Sequence, residues 1–264
     1  MQAGAEHQRR GQLWLITGTG EGPALAGCLI ARGWRVRVFV VSAAAARAYG
    51  SLPGLEITVG ALGEADAIEA ALERAETAGS TPRWLVDATH PFASRISAAL
   101  AIACRRRGMG LLRLLRPLLE PGEATVLGDL EALRRVPLAG RSLLLAIGAR
   151  QLGSAIASSP GALHHARILP NPAALAAAMA AGLPPQRIAP LRPDLTDGRL
   201  ERALCRRWGI EAVLCRRSGS GAEALWHQLA RSDGLKLLLL ERPAEPAGVR
   251  ALPLADLLGA IGEP

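Results

Sequence analysis

Strand-length apolar runs alternate with helix-length amphipathic stretches along nearly the whole chain, and this rhythm constrains the fold more than any other feature. In the first half, residues 13–17, 35–41, 56–59, 84–87 and 111–115 read as strands. Residues 23–32, 43–49, 64–78 and 92–107 read as the helices that connect or follow them. A βαβα order of this kind predicts a parallel sheet with helices packed on both faces. The stretch 116–140 is irregular and is punctuated by Pro117, Pro121, Gly122 and Pro137. The rhythm then resumes, with strands at 142–147, 165–169, 187–191, 212–215 and 236–240. Helices are expected at 149–157, 172–181, 198–208 and 222–231.

The expected fold class is therefore α/β, with two doubly wound parallel-sheet (Rossmann-like) domains and a cleft between them. The expected boundaries are a disordered tail over 1–11, a nucleotide-binding domain over 12–117, a hinge over 118–140 and a second domain over 141–264. The halves are not a detectable sequence repeat. With 50% hydrophobic and 20% charged residues the chain has a globular composition, and with only 3% aromatics its core must be aliphatic. No apolar run approaches the roughly 20 residues that span a bilayer, and the polar start carries no signal-peptide core, so the expectation is a cytoplasmic protein without membrane contact. Cys28, Cys104, Cys205 and Cys215 form no CxxC pair and no metal-ligand cluster, so they read as small core residues, and no metal is expected.

The net charge of +8 is carried almost wholly by arginine, the only lysine being Lys236. One reading is compositional bias; the other is an anionic partner, since the guanidinium fork pairs with carboxylate or phosphate through two hydrogen bonds. A nucleic-acid partner would call for a contiguous basic face with aromatic platforms, whereas here arginines are scattered among helices and aromatics are few.

Three segments carry chemistry. The first is TGTGEG, residues 17–22, which joins the first strand to the first helix. Gly18, Thr19, Gly20, Glu21 and Gly22 are candidates for holding a dinucleotide there, since a helix start offers free N–H groups to phosphate. The glycine spacing departs from GxGxxG, and an ordinary tight turn is the alternative. The second strand ends at Val41-Ser42 without the acid that usually meets the adenosine ribose. Ser42 and Arg47 at that position lean toward NADP, although Arg47 also fits a solvated helix residue.

The second segment is VDATHPFA, residues 86–93. A buried strand ends in an acid, and Thr89 and His90 occupy the turn before Pro91, which the pattern predicts as the first residue of a helix. In a doubly wound sheet the carboxyl ends of strands face the ligand, so Asp87, Thr89 and His90 are aimed there. The alternative is that Asp87 or Thr89 merely caps the helix. His90 is the candidate catalytic residue, as proton donor or as hydrogen-bond donor to a ligand carboxylate; a structural turn role stays open.

The run DATHPFAxxIS, residues 87–97, resembles the hallmark of precorrin-6A reductases, enzymes of corrin-ring assembly, and the similarity continues in order along most of the chain. The family's opening GGTxE turn is matched by TGTGE, its arginine-proline pairs by Arg116-Pro117 and Arg242-Pro243, and its TGRQEL segment by IGARQL at 147–152. The third chemical segment, its KxSGG turn, appears as Arg216-Arg217-Ser218-Gly219-Ser220, with arginine for lysine and serine for the second glycine.

The resemblance implies an oxidoreductase acting on CH–CH groups, with NADPH as cofactor and an anionic tetrapyrrole, precorrin-6A or its cobalt-bound form, as substrate. It implies Asp87, His90, Arg116, Gly148, Arg150, Arg216, Ser218, Gly219 and Gly221 as substrate-binding, and Thr89 as a cofactor contact. It also fits a monomer or weak homo-oligomer.

Other enzyme classes do not match. A short-chain dehydrogenase needs Tyr-x-x-x-Lys, but Pro53 follows Tyr49 at that spacing, and no GK[ST] follows any glycine turn. The alternative from another class is a non-catalytic nucleotide- or nucleic-acid-binding Rossmann-type protein.

Overall fold

The computed structural model describes residues 11–18, 20–60 and 62–264. The tail expected over 1–11 lies outside them except for Gly11, whose carbonyl accepts from Arg35 N at 3.1 Å and extends the strand ladder. The chain forms two compact units, Met1–Arg116 with Pro243–Pro264, and Pro117–Arg242.

The first unit runs β1 (Gln12–Thr17), α1 (Gly22–Ala31), β2 (Arg35–Val40), α2 (Ala43–Ala46), β3 (Leu55–Val59), α3 (Ala65–Thr77), β4 (Trp84–Ala88), α4 (Ser94–Arg107) and β5 (Gly110–Leu114). All pairings are parallel, in the order β5-β4-β1-β2-β3. β1 is buried along its whole length, which is why it reads as a continuous apolar run and not as an alternation. Its side chains still divide between the two faces. Leu13 and Leu15 pack with Leu25 and Leu29 of α1. Trp14 and Ile16 pack with Ile68 and Leu72 of α3 and Leu100 of α4. Several arginines are taken up by acids of the facing helix, as in Arg106–Glu69 at 2.7 Å and Arg107–Glu73 at 2.8 Å.

The second unit runs β6 (Thr125–Leu127), β7 (Ser142–Ala146), α5 (Leu152–Ser158), β8 (Leu163–Ile168), α6 (Pro172–Ala180), β9 (Ile188–Pro190), α7 (Arg199–Trp208), β10 (Ala212–Arg216), α8 (Gly221–Asp233) and β11 (Lys236–Leu240). Its parallel sheet has the order β6-β11-β10-β7-β8-β9. Apart from the edge strand, this repeats the connectivity of the first sheet.

Two organisational expectations are corrected. The stretch 118–140 is not a free-standing hinge, because β6 lies within it and pairs with β11. The second unit does not run to the C-terminus either. After Arg242 the chain returns to the first sheet, where β12 (Arg250–Leu252) pairs with β5 and α9 (Leu254–Ile261) buries Leu257 and Ile261 in the first core. Both edge strands are three residues long, too short to show a period of two.

The cysteine reading also needs amendment. Cys104, Cys205 and Cys215 are buried, and burial pushes the first two thiols up to about 12, whereas Cys28 is exposed on α1. Among the described residues no helix is long and apolar enough to cross a membrane.

Candidate functional site

Each sheet has one place where the connections diverge, between β1 and β4 in the first unit and between β7 and β10 in the second. Ligands of doubly wound sheets bind at the carboxyl ends of such a strand pair. The glycine turn and the DATHPF turn occupy that place in the first unit; residues 147–151 and 217–220 occupy it in the second.

In the glycine turn, Gly22 is required by packing. A Cβ there would stand 2.0 Å from Tyr49 Oη and 2.4 Å from Thr17 Oγ1. Gly18, by contrast, has nothing within 4 Å of a notional Cβ among the described residues. Thr19 lies outside the described residues. The N-cap of α1 is Glu21, which makes no side-chain bond to the first turn, and no acid occupies that turn. The helix start thus keeps backbone donors for an external anion.

The carboxylate of Glu21 turns instead to Arg116, whose Nε donates to it at 2.5 Å. The same guanidinium donates to the carbonyls of Thr89 at 2.9 Å and Ala88 at 3.2 Å. Arg116, 5% exposed, is therefore a strut joining the two turns, and its expected role in substrate contact is corrected: its donors face inward. In the second arginine-proline pair, Arg242 Nε donates to Arg217 O after β10 at 3.3 Å.

Asp87 is also corrected. It is 1% exposed, paired with Arg113, and accepts from Thr89 N at 3.0 Å and Thr89 Oγ1 at 2.7 Å. Both carboxylate oxygens thus accept from the protein in a buried setting. The buried Thr89 is engaged throughout: its hydroxyl and N–H both donate to Asp87 and its carbonyl accepts from Arg116, so its expected cofactor contact is corrected as well. Pro91 does not open the helix: Ala93 N donates to His90 O at 2.8 Å, closing a turn, and α4 starts at Ser94. The N-cap is Ala93, so neither Asp87 nor Thr89 caps the helix.

His90 is half-buried, its ring tilted against Phe92 with centroids 5.7 Å apart. Nδ1 accepts from Phe92 N at 3.2 Å, so the neutral ring carries its proton on Nε2. At the end of β2, the hydroxyl of Ser42 caps α2 by accepting from Ala45 N at 3.3 Å. Arg47 is exposed, and its side chain makes no hydrogen bond or ion pair among the described residues.

In the second unit, Gly148 has φ 81°, which favours glycine, and a Cβ there would lie 3.5 Å from the guanidinium of Arg216. Arg216 Nε and Nη2 donate to Gln151 Oε1 at 3.2 and 2.8 Å. Burial, and then the neighbouring Arg150, lower the Arg216 pKa to about 10. Gly148, Arg150 and Arg216 are thus brought together as a positive site at the strand ends.

The turn 218–220 differs from expectation. The N–H groups of Ser218 and Gly219 both donate to Glu223 Oε2 at 2.6 Å, and Ser220 caps α8 by accepting from Glu223 N at 3.4 Å. The anion cradle exists, but a carboxylate of the same chain fills it. Ser218 and Gly219 are corrected as backbone contacts to substrate, while Gly221 simply opens α8.

Sequence reasoning missed Arg113, Glu223 and Glu245. An arginine inside the apolar run LLRLL was the signal for the first, because a charge in a buried strand demands an acid nearby. For Glu223 the signal was the capping box Ser220-x-x-Glu223.

A family model described as precorrin-6x reductase CbiJ/CobK matches residues 12–259. The chain is 35% identical over 237 residues to the cobalt-precorrin-6A reductase of Synechocystis sp., covering 88% of each chain. It is 31% identical over 257 residues to the precorrin-6A reductase of Rhodococcus erythropolis, covering 95% of this chain and 96% of the other. A solved structure of CobK precorrin-6A reductase superposes with a TM-score of 0.72 at 28% identity, covering 95% of this chain and 96% of that one.

Proposed function

Since the chain belongs to the precorrin-6x reductase CbiJ/CobK family, we propose that it reduces the precorrin-6A macrocycle, cobalt-free or cobalt-bound, to its 6B form with NADPH in corrin-ring assembly. The observation that carries the cofactor half is the first-unit turn. Past its N-cap Glu21, whose carboxylate is paired with Arg116, the first turn of α1 carries no acid, and an exposed arginine stands past the end of β2.

Backbone N–H groups at the start of α1 hold the pyrophosphate, and Arg47 meets the ribose phosphate that distinguishes NADPH from NADH. When bound, NADPH supplies the hydride for the conjugated ring system. His90 presents its Nε2 proton at the neighbouring strand end, where it serves as donor to the substrate. Arg216 and Arg150 offer their charge to the acetate and propionate carboxylates of the tetrapyrrole. Among these residues the chain's task is orientation and charge matching.

The cofactor assignment is tested by titrating NADPH and NADH against the wild type and Arg47→Ala. The expected outcome is a loss of NADPH affinity of about tenfold or more, worth one charge-assisted hydrogen bond, with NADH affinity unchanged. Equal loss for both cofactors, or none for either, removes Arg47 from the phosphate site.

A further inference from the structure

Arg113 is the penultimate residue of β5, between the buried Leu112 and Leu114 and opposite Asp87 in the parallel register. It is 2% exposed, and a guanidinium so deep needs its hydrogen bonds satisfied by the protein. Nη1 donates to Asp87 Oδ2, to Ser97 Oγ at 2.5 Å and, more weakly, to Thr89 Oγ1 at 3.4 Å. Asp87, Thr89 and Ser97 are three polar members of the DATHPFAxxIS run. One arginine therefore gathers the end of β4, the turn and the first turns of α4. Nε donates to Glu245 Oε2, which belongs to the segment that returns from the second unit.

We propose that Arg113, oriented by Glu245, is a positioning residue for the reductase reaction. It fixes the turn that carries His90, and so makes the returning segment around Glu245 part of the catalytic apparatus. The inference rests on reading the His90 turn as the place where cofactor and substrate meet. Arg116 holds the carbonyl side of this turn; Arg113 holds its side-chain side. Glu245, the partly exposed member, sets the angle of the guanidinium from outside the run.

The test uses Glu245→Ala, with Glu245→Asp as the conservative variant, because loss of Arg113 itself leaves Asp87 buried without its partner and risks the fold. Two readouts are needed. Hydrogen exchange on the apo full chain is expected to accelerate by about tenfold or more at residues 89–93 in Glu245→Ala, with α3 and β2 unchanged. In turnover, kcat is expected to fall on the order of 10- to 100-fold with KM for NADPH nearly constant, since misplacement costs rate more than binding. Glu245→Asp should recover part of both.

Exchange that rises evenly over the first unit, or a kcat within twofold of wild type, overturns the proposal. A wild type that fails to reduce the tetrapyrrole overturns the functional reading instead, and the exchange arm then still decides whether Glu245 holds the turn.

Discussion

Replacing Gly22 with alanine is expected to weaken NADPH binding by about 100-fold or more and to destabilise the first unit by about 1–3 kcal/mol, the usual cost of overpacking. The added Cβ would meet Tyr49 Oη at 2.0 Å and Thr17 Oγ1 at 2.4 Å. Neither neighbour can step aside: Tyr49 is buried on the short turn after α2, and Thr17 is the last residue of the central strand. The relief must come from α1, whose first turn would lift from β1 and carry with it the N–H groups proposed to hold the pyrophosphate. Removing the tyrosine hydroxyl in Gly22→Ala/Tyr49→Phe should recover only part of the loss, because Thr17 still obstructs. Isothermal titration with NADPH checks this, and single-variant affinity within threefold of wild type would show that the turn is not the phosphate cradle.

Arg216→Met should act in the opposite sense on binding and stability. KM for the tetrapyrrole is expected to rise by about 100-fold, the effect of removing a charge-assisted hydrogen bond from a partly buried site. NADPH affinity should not change. Stability should hold or increase. Burial, and then the neighbouring Arg150, lower its pKa to about 10, so the folded protein keeps this group charged at a cost that a thioether escapes. Arg216→Lys, which restores the lysine of the KxSGG pattern, should return much of the substrate affinity but not the paired bonds to Gln151. Loss of stability together with an unchanged KM would make Arg216 structural. Steady-state kinetics and thermal melts on the three proteins separate these outcomes.

The long elements were legible because their signals are local: aliphatic strand cores, alanine-rich helices and glycines at their ends. β6, β12 and α9 were not, since a three-residue strand carries no period and only the finished sheet shows which edge it completes. The returning C-terminal segment is for that reason invisible to a reading that divides the chain once.

At the site, position was readable and partnership was not. The glycine turn and the DATHPF turn fall at the strand ends as the alternation predicts. That Asp87 turns inward depends on Arg113 standing beside it in register, and Arg116 is recognisable as a strut only when Glu21 and the Ala88 and Thr89 carbonyls surround it. Glu223 was legible in principle. A serine followed three residues later by glutamate announces that the carboxylate will claim the N–H groups before the helix, whereas the resemblance to a substrate-binding turn pointed those groups at a ligand.

The central claim is that this chain reduces a corrin precursor with NADPH. Anaerobic incubation of the purified full chain with NADPH and precorrin-6A, supplied free and cobalt-bound in separate reactions, tests it most directly. The expected result is loss of NADPH absorbance matched mole for mole by the 6B product with at least one of the two substrates. Unchanged NADPH with both would contradict it.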